Sequence, residues 1–207
     1  MLLSVLLTAL PGPLESPRLA RLSADVAGGR REALAEFWKE LEKEGTPLFE
    51  PGPDPGRTLV TFVWRGTPQT RNVLVSFDAE PEFERLELAR LADTEVWYRT
   101  YSLPSEARFY YQFSPDDSLV PFERERDWGT REKGFTSDPL NPKGILIGTS
   151  RRFSFAVLPG APQIAACAER PGVKSGRFDP GGRGAFQITS KSLGDHRVWV
   201  YTTPGLA

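Results

Sequence analysis

Reactive side chains are scarce in this chain: its 207 residues include one cysteine and one histidine. The lone cysteine, Cys167, allows no internal disulfide and no thiolate zinc cluster, and a reducing compartment is its natural home. Set in Ala165-Ala166-Cys167-Ala168, it reads as a small packed hydrophobe rather than a nucleophile. The lone histidine, His196, falls inside a strand-like stretch, and no Gly-x-Ser-x-Gly occurs anywhere. A hydrolase needs a nucleophile, a positioned base and oxyanion donors, and this sequence does not supply that set. Metal-ligand spacings such as His-Glu-x-x-His or Cys-x-x-Cys are missing. Gly176, Gly181, Gly182 and Gly184 form no phosphate-cradling GxGxxG between a strand and a helix. Acidic pairs such as Asp116-Asp117 stand in turn contexts, where they carry little weight as catalytic carboxylates. Excess charge is missing too: the formal net charge is -1, which removes the electrostatic argument for nucleic acid. Met1–Leu10 is apolar but lacks a basic leader, and it is far shorter than the ~20 residues a helical membrane span requires. It reads as a helix edge or a loosely ordered start, with a cleaved signal peptide as the alternative.

What remains is an ordinary globular composition, 39% hydrophobic and 26% charged, long enough to bury a real core. Ser16-Pro17 opens a helix in which Leu19, Leu22 and Val26 recur at helical spacing, and Gly28-Gly29 closes it. Residues 30–44 form a second, with Leu34, Phe37, Trp38 and Leu41 as its apolar stripe and Gly45 as its stop. Thr46 to Gly56 reads as loop. The period then becomes two. Residues 58–65 (TLVTFVWR) and 71–77 (RNVLVSF) read as antiparallel neighbours joined through a short turn. Residues 94–115, TEVWYRTYSLPSEARFYYQFSP, read as a β-hairpin turning at Pro104-Ser105-Glu106. Pairing Leu103 with Arg108 places Val96, Tyr98, Phe109, Tyr111 and Phe113 on a core face. Trp97, Arg99, Tyr101, Arg108, Tyr110 and Gln112 fall on the other.

A long polar connection follows, with Trp128 and Phe135 as candidate anchors. Further strands are expected at residues 152–158, 185–191 and 196–202. Short strands with turns between them and helices confined mainly to the start indicate a mainly β fold, an antiparallel β-sandwich with an N-terminal helical extension. The expected division is 1–45 for the helical extension, 46–192 for the sandwich and 193–207 for a link and strand leading into a further domain.

Several segments carry a resemblance, in this order: Phe37-Trp38, Gly45-Thr46-Pro47-Leu48, residues 60–65 (VTFVWR), residues 94–100 (TEVWYRT), Tyr111-Gln112-Phe113 and residues 138–142 (DPLNP). Together they resemble the N-terminal domain of enterochelin (ferric enterobactin) esterases. Residues 193–204, LGDHRVWVYTTP, resemble the link into the esterase domain that follows in that family. The resemblance implies an immunoglobulin-like (E-set) sandwich packed on a C-terminal α/β-hydrolase domain that carries the catalytic triad. It implies cytoplasmic hydrolysis of a ferric catecholate siderophore, with no cofactor beyond the iron inside that substrate. No position here matches the triad, so no catalytic residue carries over, and neither nucleic acid nor membrane is expected as a partner. A tricatecholate complex is anionic and exposes flat rings, which guanidinium and aromatic side chains would complement. Trp64, Arg65, Trp97, Arg99, Asp138 and Asn141 are the expected substrate-binding positions. A carbohydrate-binding sandwich and a purely structural interdomain partner stay open as alternatives.

Overall fold

The computed structural model describes residues 16–77, 80, 82–145 and 151–162, and the backbone of 146–147, 184–190 and 194–200. Met1–Leu10, Cys167 and the glycines at 176–182, which figure in the expectations above, lie outside the described residues. Contacts divide the chain into residues 1–162 and 163–207.

In the first unit, two helices precede a sandwich. Helix α1 (Pro17–Ala27) starts where expected: Ser16 caps it through the Leu19 N–H (3.3 Å). The Ser16 hydroxyl also donates to buried Glu50 (2.5 Å), which accepts the Arg18 N–H as well (2.9 Å). A carboxylate at a helix N-terminus satisfies otherwise orphaned donors. Helix α2 (Ala33–Glu44) ends at Gly45, whose φ of 83° belongs to the region that favours glycine.

The first sheet has the order β1 (Leu48–Pro51), β2 (Arg57–Arg65), β5 (Val96–Pro104), β4 (Ala89–Arg90). The second has β3 (Val73–Phe77), β6 (Arg108–Pro115), β8 (Arg151–Val157), β7 (Gly144–Ile147), and every pairing in both is antiparallel. Between them lies a core centred on Phe62, whose ring centroid is 4.9 Å from Tyr111, 5.0 Å from Phe77, 5.8 Å from Tyr101, 6.0 Å from Phe109 and 6.3 Å from Phe113. A second core lies between the first sheet and the helices, joining Leu19, Leu22, Phe37, Trp38 and Leu41 to Leu48, Val63 and Val96. The middle of the first sheet is therefore buried on both faces.

That double burial corrects three expectations. Leu48–Pro51 is a strand rather than loop, because Leu48 completes the helix-side core at the sheet edge. β2 and β3 are not neighbours: the connection over residues 66–72 crosses from one sheet to the other so that the inward rows of both strands meet. β5 and β6 do not form a hairpin either, since they belong to different sheets. The backbone of the turn explains this crossing. Ser105 N–H donates to Gly56 O (2.8 Å) beside the first sheet, and Leu158 N–H donates to Ala107 O (3.1 Å) at the end of β8, so the turn's polar groups are satisfied by both layers rather than by a ladder. Phe109, Tyr111 and Phe113 face the sandwich core as expected, but on β5 the parity is reversed. Trp97, Tyr101 and Leu103 point into the sandwich, while Val96 and Tyr98 face the helices.

In the second unit, β9 (Gly184–Ser190) and β10 (Gly194–Val200) pair antiparallel, with His196 opposite Ile188. The expected boundary at 192–193 falls in the connection between these two strands. Among the described residues, no helix is long and apolar enough to cross a membrane.

Phe62→Ala should lower stability by about 3–5 kcal/mol, the usual cost of a fully buried aromatic truncated in a packed core. Urea denaturation followed by tryptophan fluorescence measures it, and a loss under ~1 kcal/mol would show that the six-ring cluster is not the centre of the core.

Candidate functional site

The residues singled out from sequence do not converge. Trp64 and Trp97 are cross-strand partners on the inward face of the first sheet. Trp64 is half-buried, packing at 5.2 Å against Phe113, and Trp97 is 7% exposed within the sandwich core. Gly66 accommodates Trp97: a Cβ there would overlap the indole nitrogen. Arg65 points the other way, toward the helices, with its guanidinium 5.0 Å from the Trp38 ring and 3.7 Å from Glu95, which also accepts the Trp38 indole N–H (3.0 Å). Arg99 lies opposite Phe62 in the β2–β5 register. It is half-buried, with Nη1 3.4 Å from Glu87 O. The two arginines therefore stand on opposite faces of one sheet, because an even separation along a strand preserves the face and Arg65 and Arg99 belong to different alternation sets.

Asp138 and Asn141 lie deep, at 3% and 7% exposure. Asp138 Oδ2 accepts from Thr46 Oγ1 (2.7 Å) and Tyr111 Oη (2.7 Å), and its Oδ1 accepts the Leu140 N–H (2.9 Å). Asn141 donates to Tyr111 Oη (2.9 Å) and Phe155 O (3.2 Å). This network ties the α2–β1 connection, β6 and β8 to the Asp138–Pro142 turn. Burial pushes the Asp138 carboxyl up, against the pull of its Tyr111 and Thr46 hydrogen bonds. The Tyr111 phenol is also raised, by its own burial first and then by the carboxylate beside it.

A larger feature lies on the outer face of the second sheet, where residues 116–136 fold over it. It is a cleft of about 550 Å³. Ser76, Gln112 and Phe153 form its floor, with Phe122, Trp128 and Phe135 in its wall. Trp128 is the most exposed large apolar side chain among the described residues, at 45%; expected as a buried anchor, it is instead a wall, while Phe135 is half-buried. Behind the wall, and outside the cleft lining, Arg131 holds the rings. Its guanidinium lies 4.8 Å from Phe122, 5.5 Å from Phe83 and 5.7 Å from Trp128. It donates to Asp117 (2.7 Å), Glu125 (3.2 Å) and Val120 O (2.5 Å). Asp117 is buried, its side chain fully enclosed. The sequence hinted at this cage only through Trp128; the pairing of Asp117 with Arg131 has no local signature.

The sequence model of the family described as "Enterochelin esterase, N-terminal" matches residues 59–167, just over half of the chain. The chain belongs to that family. Among curated relatives, it is similar to the iron(III) enterobactin esterase of Yersinia enterocolitica, 28% identical over 219 residues that cover 92% of this chain and 59% of that one. The iron(III) salmochelin esterase of Escherichia coli is 30% identical over 92 residues, covering 42% and 22%. Among solved structures, the ferric enterobactin esterase of Salmonella typhimurium superposes with a TM-score of 0.53 at 26% identity, over 83% of this chain and 47% of that one. An enterobactin esterase from Shigella flexneri, at 24% identity and a TM-score of 0.53, has the same fold over 81% of this chain. The chain thus spans about three-fifths of the Yersinia relative's length and under half of either structure's. An N-terminal domain of an enterochelin esterase is what the aligned portion corresponds to.

Two measurements probe these buried polar groups. Because the native state raises the Asp138 value, it holds that proton to higher pH than the unfolded chain. The associated stability is present below the unfolded carboxylate value and is lost as pH rises through the native one. Asp138→Asn should remove that decline, so the difference between the urea midpoints of the two proteins should vary with pH as it rises above the ordinary aspartate range; a constant difference would assign the titration elsewhere. Arg131→Met should cost about 3–5 kcal/mol by stranding buried Asp117, and pairing it with Asp117→Leu should recover part of the loss. Limited proteolysis within residues 116–136 reads the same opening directly.

Proposed function

We propose that this chain serves as the accessory half of a ferric catecholate esterase, helping to bind or enclose the siderophore whose ester bonds a C-terminal α/β-hydrolase domain cleaves in the cytoplasm. The observation that carries the reading is the family match over residues 59–167. The curated relatives named for iron(III) enterobactin and salmochelin supply the substrate class. The lack of a Gly-x-Ser-x-Gly in this sequence agrees with a catalytic centre housed elsewhere. The fold is read as an immunoglobulin-like sandwich of the E-set kind. Its strand order, β1-β2-β5-β4 over β3-β6-β8, corresponds to the A-B-E-D and C-F-G sheets of constant-type immunoglobulin domains, with β7 added at one edge.

Of the six positions proposed to serve the ligand, Arg99 and Trp64, half-buried on the inward face of the first sheet, and the guanidinium of Arg65, exposed on its opposite face, are accessible enough for direct contact, and a single ligand reaches only one of these two faces. Trp97, Asp138 and Asn141 would act from behind, by holding the sheet and the Asp138–Pro142 turn in place. Iron enters only as part of the substrate.

Titrating the chain with ferric enterobactin while following tryptophan fluorescence tests this reading. Saturable quenching is expected, weakened about tenfold, or about 1.4 kcal/mol, by Arg99→Glu. Quenching that is absent, or that Arg65→Glu and Arg99→Glu both leave unchanged, would leave the domain as a structural partner that does not touch the ligand.

A further inference from the structure

We propose that the cleft on the outer face of the second sheet is a binding site for a compact, uncharged planar aromatic molecule of one or two rings. The inference rests on the cleft alone and not on the accessory role.

Volume and lining set the ligand size. At about 550 Å³ the cleft falls within the range of small-molecule sites, which are mostly apolar with a few placed polar groups. Six of the twelve lining residues are aromatic, and three of them are held in advance. Phe122 sits 5.5 Å from Trp128 and 5.0 Å from Phe83, and Arg131, which does not line the cleft, packs against all three. Rings fixed by a buried ion cluster lose little freedom when a ligand stacks on them, which is how preorganisation raises affinity.

Charge sets the ligand class. The cleft lining includes two carboxylates, Glu80 and Glu123, and one guanidinium, Arg151. Arg151 is already paired with Glu132. The Arg131 cluster behind the wall is outnumbered by Asp117 and Glu125. Among the described residues of this lining, a multiply charged anion such as a ferric tricatecholate therefore meets no unpaired cation, and its desolvation would go uncompensated.

Hydrogen bonding separates an aromatic ligand from a sugar. A pyranose brings several hydroxyls that need partners once buried. Gln112 Nε2 donates to Arg152 O (2.9 Å), Glu80 pairs with Arg85 (3.2 Å), and Arg151 with Glu132, so that Ser76 and Glu123 are what the described lining keeps for a ligand with a few polar groups on a ring rather than hydroxyls all round it. Stacking on Trp128, Phe135 and Phe153 is the rest of what the cleft retains to offer, and offset or edge-on ring contacts supply it.

Isothermal titration calorimetry on the full chain tests the site with three probes: 2,3-dihydroxybenzamide, its ferric tris complex and maltotriose. The benzamide should bind saturably at one site. Trp128→Ala should weaken it about tenfold, the upper end of what one aromatic stack contributes. Phe135→Ala should weaken it as well, and it decides the matter if circular dichroism shows that Trp128→Ala disturbs the fold. Tyr110→Ala, on the same sheet face but outside the cleft lining, should leave binding unchanged. No saturable heat with the benzamide, a loss in Tyr110→Ala equal to that in the cleft variants, or binding of maltotriose that the cleft variants abolish would each overturn the proposal. Ferric complex that displaces the benzamide would overturn the charge argument here while supporting siderophore binding. Ferric complex that binds without displacing it leaves both sites standing, and failure of the ferric complex alone would count against the accessory role and not against the cleft.

Discussion

The centre of the first sheet has to be buried on both faces, and the rest of the first unit follows from that. β2 carries six consecutive buried residues, Thr58–Val63, so no single layer can cover it. The second sheet takes one face through Phe62 and Val60, and the helix pair takes the other through Val63 and Val96. An aromatic side chain left exposed on either face would forfeit roughly 1.5–3 kcal/mol of burial. The helical extension is consequently a third layer of the structure, and Ser16 and Glu50 weld its start to the sheet edge.

Buried polar groups fix the long segment between β6 and β7 at both ends. Arg131, with Asp117 and Glu125, holds the earlier part against the second sheet. Asp138, with Thr46, Tyr111 and Asn141, holds the later part. Neither cluster is a strong source of net stability, because desolvation of a buried charge consumes most of what its partners return. Each nevertheless admits one arrangement of the chain, since any other leaves a charge unpaired. The effect is a rigid aromatic wall on one side and a rigid turn on the other.

The site residues chosen from sequence illustrate where one-dimensional reading stops. Trp64, Arg65, Trp97 and Arg99 are close in strand register, and yet Arg65 and Arg99 emerge on opposite faces. The DPLNP segment looked like an exposed ligand-contacting loop; its Asp138 and Asn141 turn inward to satisfy Tyr111 and the β8 backbone. The aromatic cleft was legible only as isolated rings, Phe122, Trp128, Phe135 and Phe153, scattered over more than thirty residues.

Local chemistry in the sequence determined the two helices and their stops, the strand-forming segments around 57–65, 73–77, 96–115 and 151–157, and the membership of the family, because capping, β-propensity and motif order are properties of neighbours along the chain. Which strands pair was decided by the tertiary structure. Period-two alternation cannot distinguish a hairpin from a crossing between layers, and the choice turns on which distant groups, Gly56 and Leu158 here, meet the polar backbone of the turn. In β2 the apolar residues Leu59, Val60, Phe62, Val63 and Trp64 fall on both alternation sets, a pattern that suits a strand covered by two layers rather than one.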